Sequence, residues 1–189
     1  MKVLGIASSP RRRGNSELLL DAALRGAQDQ GTETQKIILA ELNIWPCRGC
    51  ETCRQGNCIQ QDDMEKLYPL LKESDALILA SPIYFYGLPA QAKAMIDRCQ
   101  VFWHRKYDTG NEGKREVVAR RGALIAVGAT RGAKLFEGAV LTTKYFFKVL
   151  GISYWGELLV REVEGYQEIL KRPDVLEAAY SLGKQLTQG

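Results

Sequence analysis

The 189-residue sequence has a single histidine, His104, and that scarcity narrows the chemistry it can carry. A hydrolase built on a Ser–His–Asp arrangement would have to use it, and the nucleophile-elbow pattern G-x-S-x-G does not occur. Neither a Walker A loop nor a G-x-G-x-x-G fingerprint is present, which removes two common phosphate cradles. No apolar run approaches the roughly 20 residues that cross a bilayer, so no membrane partner is expected. The first apolar stretch, Val3–Ala7, is five residues long and meets Ser8-Ser9-Pro10-Arg11 at once. It reads as a strand rather than a secretory leader, and the expected location is cytoplasmic.

Charge gives no partner signal either. The formal net charge is +4, from 26 basic and 22 acidic residues. Basic residues gather at Arg11-Arg12-Arg13 and at Lys114-Arg115 with Arg120-Arg121. Neither group forms the long stripe with aromatic stacking platforms that nucleic-acid binding needs, so no nucleic-acid partner is expected.

What is present is an alternation of short β-branched runs with amphipathic ones. Strands are expected at Lys2–Ala7, Thr34–Leu39, Asp75–Ala80, Gly122–Val127 and Ile152–Val160. Helices are expected over Ser16–Gln30, from Asp62-Asp63 onward with Met64, Leu67, Leu70 and Leu71 turned inward, and over Ala90–Cys99, Leu135–Leu150 and Val175–Leu186. Five strands separated by helical crossovers imply a doubly wound α/β sheet. The chain reads as one domain over 1–189, with a cysteine-rich insertion at about 45–60. The stretch Gln100–Arg121, with Trp103, His104, Tyr107, Asp108, Gly110 and Gly113, reads as a long excursion between the third helix and the fourth strand.

Ligands of an open parallel sheet bind beyond the carboxyl ends of its strands. Three segments occupy that edge. Ser8–Ser16 runs from a strand into a helix and carries hydroxyls, an amide, a glycine and three guanidinium groups, a composition suited to a phosphate at a helix N-terminus. The plainer alternative is that Asn15 or Ser16 caps the helix and the arginines are solvated. Ser81–Pro89 places aromatic and apolar residues at a strand mouth, where a flat ring could lie, and Gly87 could supply a positive φ. Packing against a second subunit would use the same side chains. The third segment, Gly128–Gly132, is a short turn ahead of a helix.

S-S-P-R-R-R-G-N-S together with L-A-S-P-I-Y-F-Y-G-L-P-A-Q-A-K-A-M-I-D-R resembles the NAD(P)H-dependent FMN reductase family. The resemblance implies a flavodoxin-like fold: an α/β, doubly wound, five-stranded parallel sheet of order 2-1-3-4-5 with helices on both faces. It further implies that Ser9, Arg11, Asn15 and Ser16 hold the FMN phosphate. Pro82, Ile83, Tyr84, Phe85 and Gly87 would lie along the isoalloxazine and ribityl chain. Thr130 would add a contact from a third loop less glycine-rich than is usual in the family. Flavin performs the redox chemistry itself, so no catalytic side chain is assigned.

Four of the five cysteines, Cys47, Cys50, Cys53 and Cys58, fall within twelve polar or glycine-rich residues as C-x2-C-x2-C-x4-C, and Cys99 stands alone in an amphipathic helix. Crowding of this kind in a cytosolic chain points to a metal or redox site rather than a disulfide framework. Repeated C-x2-C steps suit a [4Fe–4S] cluster, while a zinc site or redox-active thiols use the same residue type. Within the reductase family the motif is similar to that of the iron–sulfur flavoproteins, which carry FMN and a [4Fe–4S] cluster. The implied function is electron transfer from NAD(P)H or a ferredoxin-like donor, through FMN and the cluster, to a small-molecule or protein acceptor. An FMN or quinone reductase without a cluster, an electron carrier without substrate turnover, and a zinc-stabilised binding protein are the alternatives. The aromatic and apolar residues Tyr84, Phe85, Tyr86, Leu88, Phe102 and Trp103 exceed what one flavin ring covers, and with the resemblance they imply a homodimer or homotetramer.

Overall fold

The computed structural model describes residues 1–107 and 120–188. Five parallel strands, β1 (Lys2–Ala7), β2 (Glu33–Ile38), β3 (Ala76–Pro82), β4 (Arg121–Val127) and β5 (Ser153–Val160), form one sheet in the order β2-β1-β3-β4-β5. Among the described residues the α-helices are α1 (Asn15–Gln28), α2 (Met64–Glu73), α3 (Ala90–Arg98), α4 (Gln100–Tyr107), α5 (Glu137–Leu150) and α6 (Pro173–Leu186). Parallel pairing runs from Val3↔Ala76 to Ala7↔Ala80 at the centre and from Lys2↔Glu33 to Ala7↔Ile38 at the β2 edge.

Side chains of a strand alternate between faces, and here both faces are dry. Ala76, Ile78 and Ala80 of β3 face α1 and α6, whereas Leu77 and Leu79 face the side built by α2, α3 and α5. The uninterrupted apolar run of β3 follows from that double burial. Small residues on the first face let α1 and α6 come close. A Cβ on Gly26 would lie 2.0 Å from the Tyr180 carbonyl oxygen, and one on Gly183 would lie 1.8 Å from that of Ala23. At this crossing the two helices touch backbone to backbone.

Two expectations change. Strand β3 runs through Ser81 and Pro82 instead of ending at Ala80, because both residues keep their register with Ala126 and Val127 and the next residue, Ile83, donates its N–H to the Val127 carbonyl at 2.8 Å. Proline lacks an N–H and is tolerated at such a strand end. The expected excursion at Gln100–Arg121 begins as helix α4, whose Val101 and His104 are buried. Residues 108–119, with Asp108, Gly110, Gly113, Lys114 and Arg115, lie outside the described residues.

Arg120 enters β4 by tying three chain ends together. Its guanidinium donates to the carbonyls of Leu71 and Ser74 at the end of α2 and to that of Leu150 at the end of α5, at 2.7–2.9 Å. It thus satisfies carbonyls that helix ends leave without partners.

The α1–α6 crossing gives a direct test. Gly26→Ala or Gly183→Ala should destabilise the protein by about 1–3 kcal/mol or more in urea unfolding, since the added methyl meets rigid backbone. Gly156→Ala is the control, because a Cβ there would meet only Leu182 Cδ1 at 3.5 Å. Its urea midpoint should move far less.

Candidate functional site

The sheet order reverses direction between β1 and β3, and the loops leaving those strands flank the crevice that this reversal opens. A cleft of about 250 Å3 lies there, lined on one side by Ser9, Arg11, Gly14, Asn15 and Ser16 and on the other by Pro82, Ile83 and Tyr84. Seven of the residues singled out in the sequence are therefore brought together. Phe85, Gly87 and Thr130 are not among its lining residues.

The first loop is organised by Glu17. Its carboxylate is buried and accepts the Arg13 N–H at 2.6 Å, the Arg12 guanidinium at 3.3 Å and the Lys36 ammonium at 3.2 Å. Burial alone would raise the pKa of Glu17, but these partners outweigh it and hold the carboxyl below its usual range. Arg12 also pairs with Glu41, so it is committed within the chain. The Arg11 side chain has no hydrogen bond or ion pair among the described residues, and it faces the cleft. The Ser9 hydroxyl accepts the Arg11 N–H at 3.1 Å, and Ser16, buried at the first turn of α1, has a hydroxyl without a partner among the described residues. Gly14, the N-cap of α1, has no side chain to obstruct that turn, whose first N–H groups have no intrahelical acceptor. A free cation, a free hydroxyl and a helix N-terminus on one wall fit a phosphate monoester.

The opposite wall ends in a tight antiparallel turn. Tyr84 and Gly87 exchange both backbone hydrogen bonds, at 3.0 and 2.9 Å, leaving Phe85 and Tyr86 at the corner with φ of 50° and 63°. The positive φ expected of Gly87 thus falls on two aromatic residues, a strain of about 1–3 kcal/mol each. The turn seats its Tyr86 carbonyl on α5, where a Cβ at Gly138 would come within 2.7 Å. Phe85 is wholly exposed, with Tyr86 and Tyr84 beside it. Leu88 and Phe102 instead pack on the core, and Trp103 donates to the Tyr145 hydroxyl at 3.1 Å. The exposed aromatic surface at this wall is accordingly narrower than the sequence implied.

A fourth edge segment was missed. The loop after β5, residues 161–171, adds Val163, Glu164 and Tyr166 to the cleft. It is strapped to the first loop by Asn15, whose amide donates to the Gly165 carbonyl at 2.8 Å and accepts the Ile169 N–H at 3.1 Å. Both polar ends of Asn15 are spent on this strap. The rule that sites gather beyond strand ends, applied to β5 as well, would have found the segment.

The cysteines form a second locality. Cys47, Cys50, Cys53 and Cys58 line one cavity of about 240 Å3 together with Gln60, Arg98 and His104. This cavity and the first cleft share no lining residue, and α3, nine residues or about 13 Å long, separates the aromatic loop from Arg98. The Thr52 hydroxyl and N–H hold the Cys50 thiol below its ordinary pKa, whereas burial, then the neighbouring Cys47, Cys58 and Cys50, push Cys53 up. Among the described residues no three His, Cys, Asp or Glu side chains converge as they would around a single metal ion. A four-iron cluster spreads its thiolates around a cube, so its ligands need not meet at one point. Cys99 is buried, with its thiol donating to the Met95 carbonyl at 3.4 Å and its pKa pushed up by burial.

The cysteine loop is held by arginines. Arg98 and Asp62, both fully buried as side chains, pair through contacts of 2.5 and 3.1 Å. Arg98 also donates to the carbonyls of Trp45 at 3.0 Å and Gln60 at 3.2 Å, one on each side of the cysteine run. Arg105 of α4 donates to the Gly56 carbonyl at 2.7 Å. Asp62 accepts the Met64 N–H at 3.0 Å as well, so it starts α2 as the sequence implied while anchoring Arg98, which the sequence did not reveal.

A parallel sheet of this order with a phosphate-suited cleft at its switch point defines a flavodoxin-like mononucleotide protein. The NADPH-dependent FMN reductase family model matches residues 1–147, and the chain belongs to that family of flavin oxidoreductases. It is 34% identical over its whole length to an iron–sulfur flavoprotein of Methanocaldococcus jannaschii, covering 96% of that protein. Over 62% of its length it is 44% identical to an iron–sulfur flavoprotein of Archaeoglobus fulgidus, and it spans 54% of that relative. Among solved structures, an NAD(P)H:quinone oxidoreductase from Methanothermobacter marburgensis superposes with a TM-score of 0.76 over 100% of this chain and 97% of that one, at 18% identity. No described helix is long and apolar enough to cross a membrane.

Asp62→Ala should destabilise the protein by about 3–5 kcal/mol in urea unfolding, because it leaves the Arg98 charge buried and unpaired. Burial alone would raise the pKa of Asp62, but Arg98 and the Trp45 and Met64 N–H groups outweigh it, and the carboxyl stays below its usual range. The stabilisation is therefore complete above the ordinary carboxylate pKa of about 4 and is lost as pH falls through the lower folded value. Thermal melts should drop steeply below about pH 4, and Glu17→Gln should flatten that acid limb.

Proposed function

We propose that the chain, working as a single flavodoxin-like unit in the cytoplasm, is an FMN-dependent oxidoreductase. On this reading it takes electrons from NAD(P)H or a reduced protein donor and delivers them, by way of FMN and a [4Fe–4S] cluster, to an acceptor. The observation that carries the flavin half is the cleft at the β1–β3 switch point, with Arg11 and Ser16 unpartnered on its phosphate-suited wall. Four cysteines around one cavity, in a chain similar to proteins named iron–sulfur flavoproteins, support the cluster half.

In this assignment Arg11, Ser9 and Ser16 hold the FMN phosphate, with Asn15 contributing its backbone at the start of α1 while its amide secures the strap. Pro82, Ile83 and Tyr84 wall the flavin, and Phe85, Gly87 and Thr130 border it from the turn and the β4 loop. Cys47, Cys50, Cys53 and Cys58 hold the cluster. FMN, when bound, accepts hydride and releases single electrons, and a cluster passes electrons one at a time. The side chains orient these groups and exclude water. The exposed corner of Tyr84, Phe85 and Tyr86 supports burial against a second copy of the chain in a homodimer or homotetramer.

Denaturation should release FMN and not FAD. Arg11→Ala and Ser16→Ala should each weaken FMN retention by at least ~1 kcal/mol, the loss of a charge-assisted phosphate bond, measured by apoprotein reconstitution. Wild-type affinity in either variant removes that residue from the site. Anaerobic reconstitution should yield about four irons and four sulfides per chain, impaired by Cys50→Ser and unchanged by Cys99→Ser. Stoichiometric zinc, or no dependence on Cys50, would leave an FMN or quinone reductase without a cluster. Native mass at micromolar concentration should exceed the monomer.

A further inference from the structure

The guanidinium of Arg98 has more donors than the chain uses. Its two terminal nitrogens are engaged by Asp62, Trp45 and Gln60, but its Nε, buried with the rest of the side chain, has no hydrogen-bond partner among the described residues. Gln60 Oε1 is the other buried side-chain atom without a partner among the described residues, and Gln60 lines the same cysteine cavity as Arg98. Buried polar atoms in native proteins are nearly always satisfied, so the orphaned Nε–H indicates an acceptor bound at the cavity that Arg98 lines. Gln60 Oε1 is itself an acceptor, needs a donor, and is no part of that contact. A tetrathiolate iron–sulfur unit is anionic and accepts hydrogen bonds at sulfur. An N–H of a permanently charged guanidinium is a donor suited to it.

We infer that Arg98 is a positioning residue of the cysteine site, and that its Nε–H donates to a sulfur of the iron–sulfur group held by Cys47, Cys50, Cys53 and Cys58. The inference rests on the cluster reading above and adds to it a role for a residue that is not a ligand. Asp62 is the counterpart that fixes the orientation of the guanidinium: engaging both terminal nitrogens leaves Nε as the donor still to be used. Hydrogen bonds to sulfur stabilise the more negative, reduced state of a cluster and raise its reduction potential. The arginine therefore both staples the loop and sets how readily the site takes an electron.

Arg98→Lys keeps a cation beside Asp62 but removes the fixed Nε donor. After anaerobic reconstitution, a potentiometric titration followed by electron paramagnetic resonance should show a lower midpoint in this variant. The expected shift corresponds to about a tenfold change in the oxidised-to-reduced ratio, roughly 59 mV for one electron. Bound FMN, measured on the same sample, reports that the fold is retained. Should the variant not fold, wild-type protein labelled with 15N-arginine provides the second measurement, in which the reduced cluster should show hyperfine coupling to an arginine nitrogen. A reconstituted wild-type cluster with no arginine coupling, and a midpoint unmoved by Arg98→Lys, overturns the inference and leaves the cluster reading standing. A wild-type protein that takes up no iron and sulfide overturns both.

Discussion

An all-parallel sheet cannot be closed by hairpins, and that constraint organises this molecule. Each strand must be followed by a crossover that returns the chain to the start of the next strand, and both faces must be covered by the helices so formed. The turns leaving β1, β3, β4 and β5 are consequently gathered at one edge, and the change of direction at β1 opens a crevice between two of them. Nothing in Ser8–Ser16 or Ser81–Pro89 requires that these segments meet. They meet because Val3–Ala7 and Ala76–Ala80 are adjacent strands in register.

Around this frame, charged groups do the local tying. Glu17 gathers Arg12, Arg13 and Lys36 and so divides a run of three arginines into one spent internally and others left outward. Arg120 joins the ends of α2 and α5 to the start of β4. Arg98 and Asp62 bracket the cysteine loop, whose own residues have little apolar surface to bury. A loop of exposed and half-buried thiols and glycines has no core of its own, so its shape depends on hydrogen bonds supplied from α3 and α4. Each of these groups costs desolvation, and each recovers it by satisfying several backbone carbonyls or a buried countercharge.

The two localities are chemically distinct and spatially separate. The first pairs a polar, helix-capped wall with a stiff apolar one ending in the strained Phe85–Tyr86 corner. The second is a thiol-lined hollow with a buried guanidinium in its wall. Within one chain α3 lies between them, and Phe85 is left fully exposed at the corner of the first wall.

How much of this was legible in the sequence follows from range of interaction. The strands, the helices and the doubly wound class are set by local periodicity and by alternation of short and long apolar runs, so they could be read directly. The same holds for Ser9, Arg11 and Ser16 at a strand-to-helix turn and for the spacing of the four cysteines. Tertiary structure alone decided the rest. Pro82 stays in β3 because Val127 pairs with it, and the positive φ falls on Phe85 and Tyr86 because the turn is seated against Gly138. Asn15 serves a strap 150 residues away, and Arg98 meets Asp62 across 36 residues. A periodic pattern records whether a side chain is buried, but the partner that makes a buried charge tolerable comes from another element, and no local rule names it.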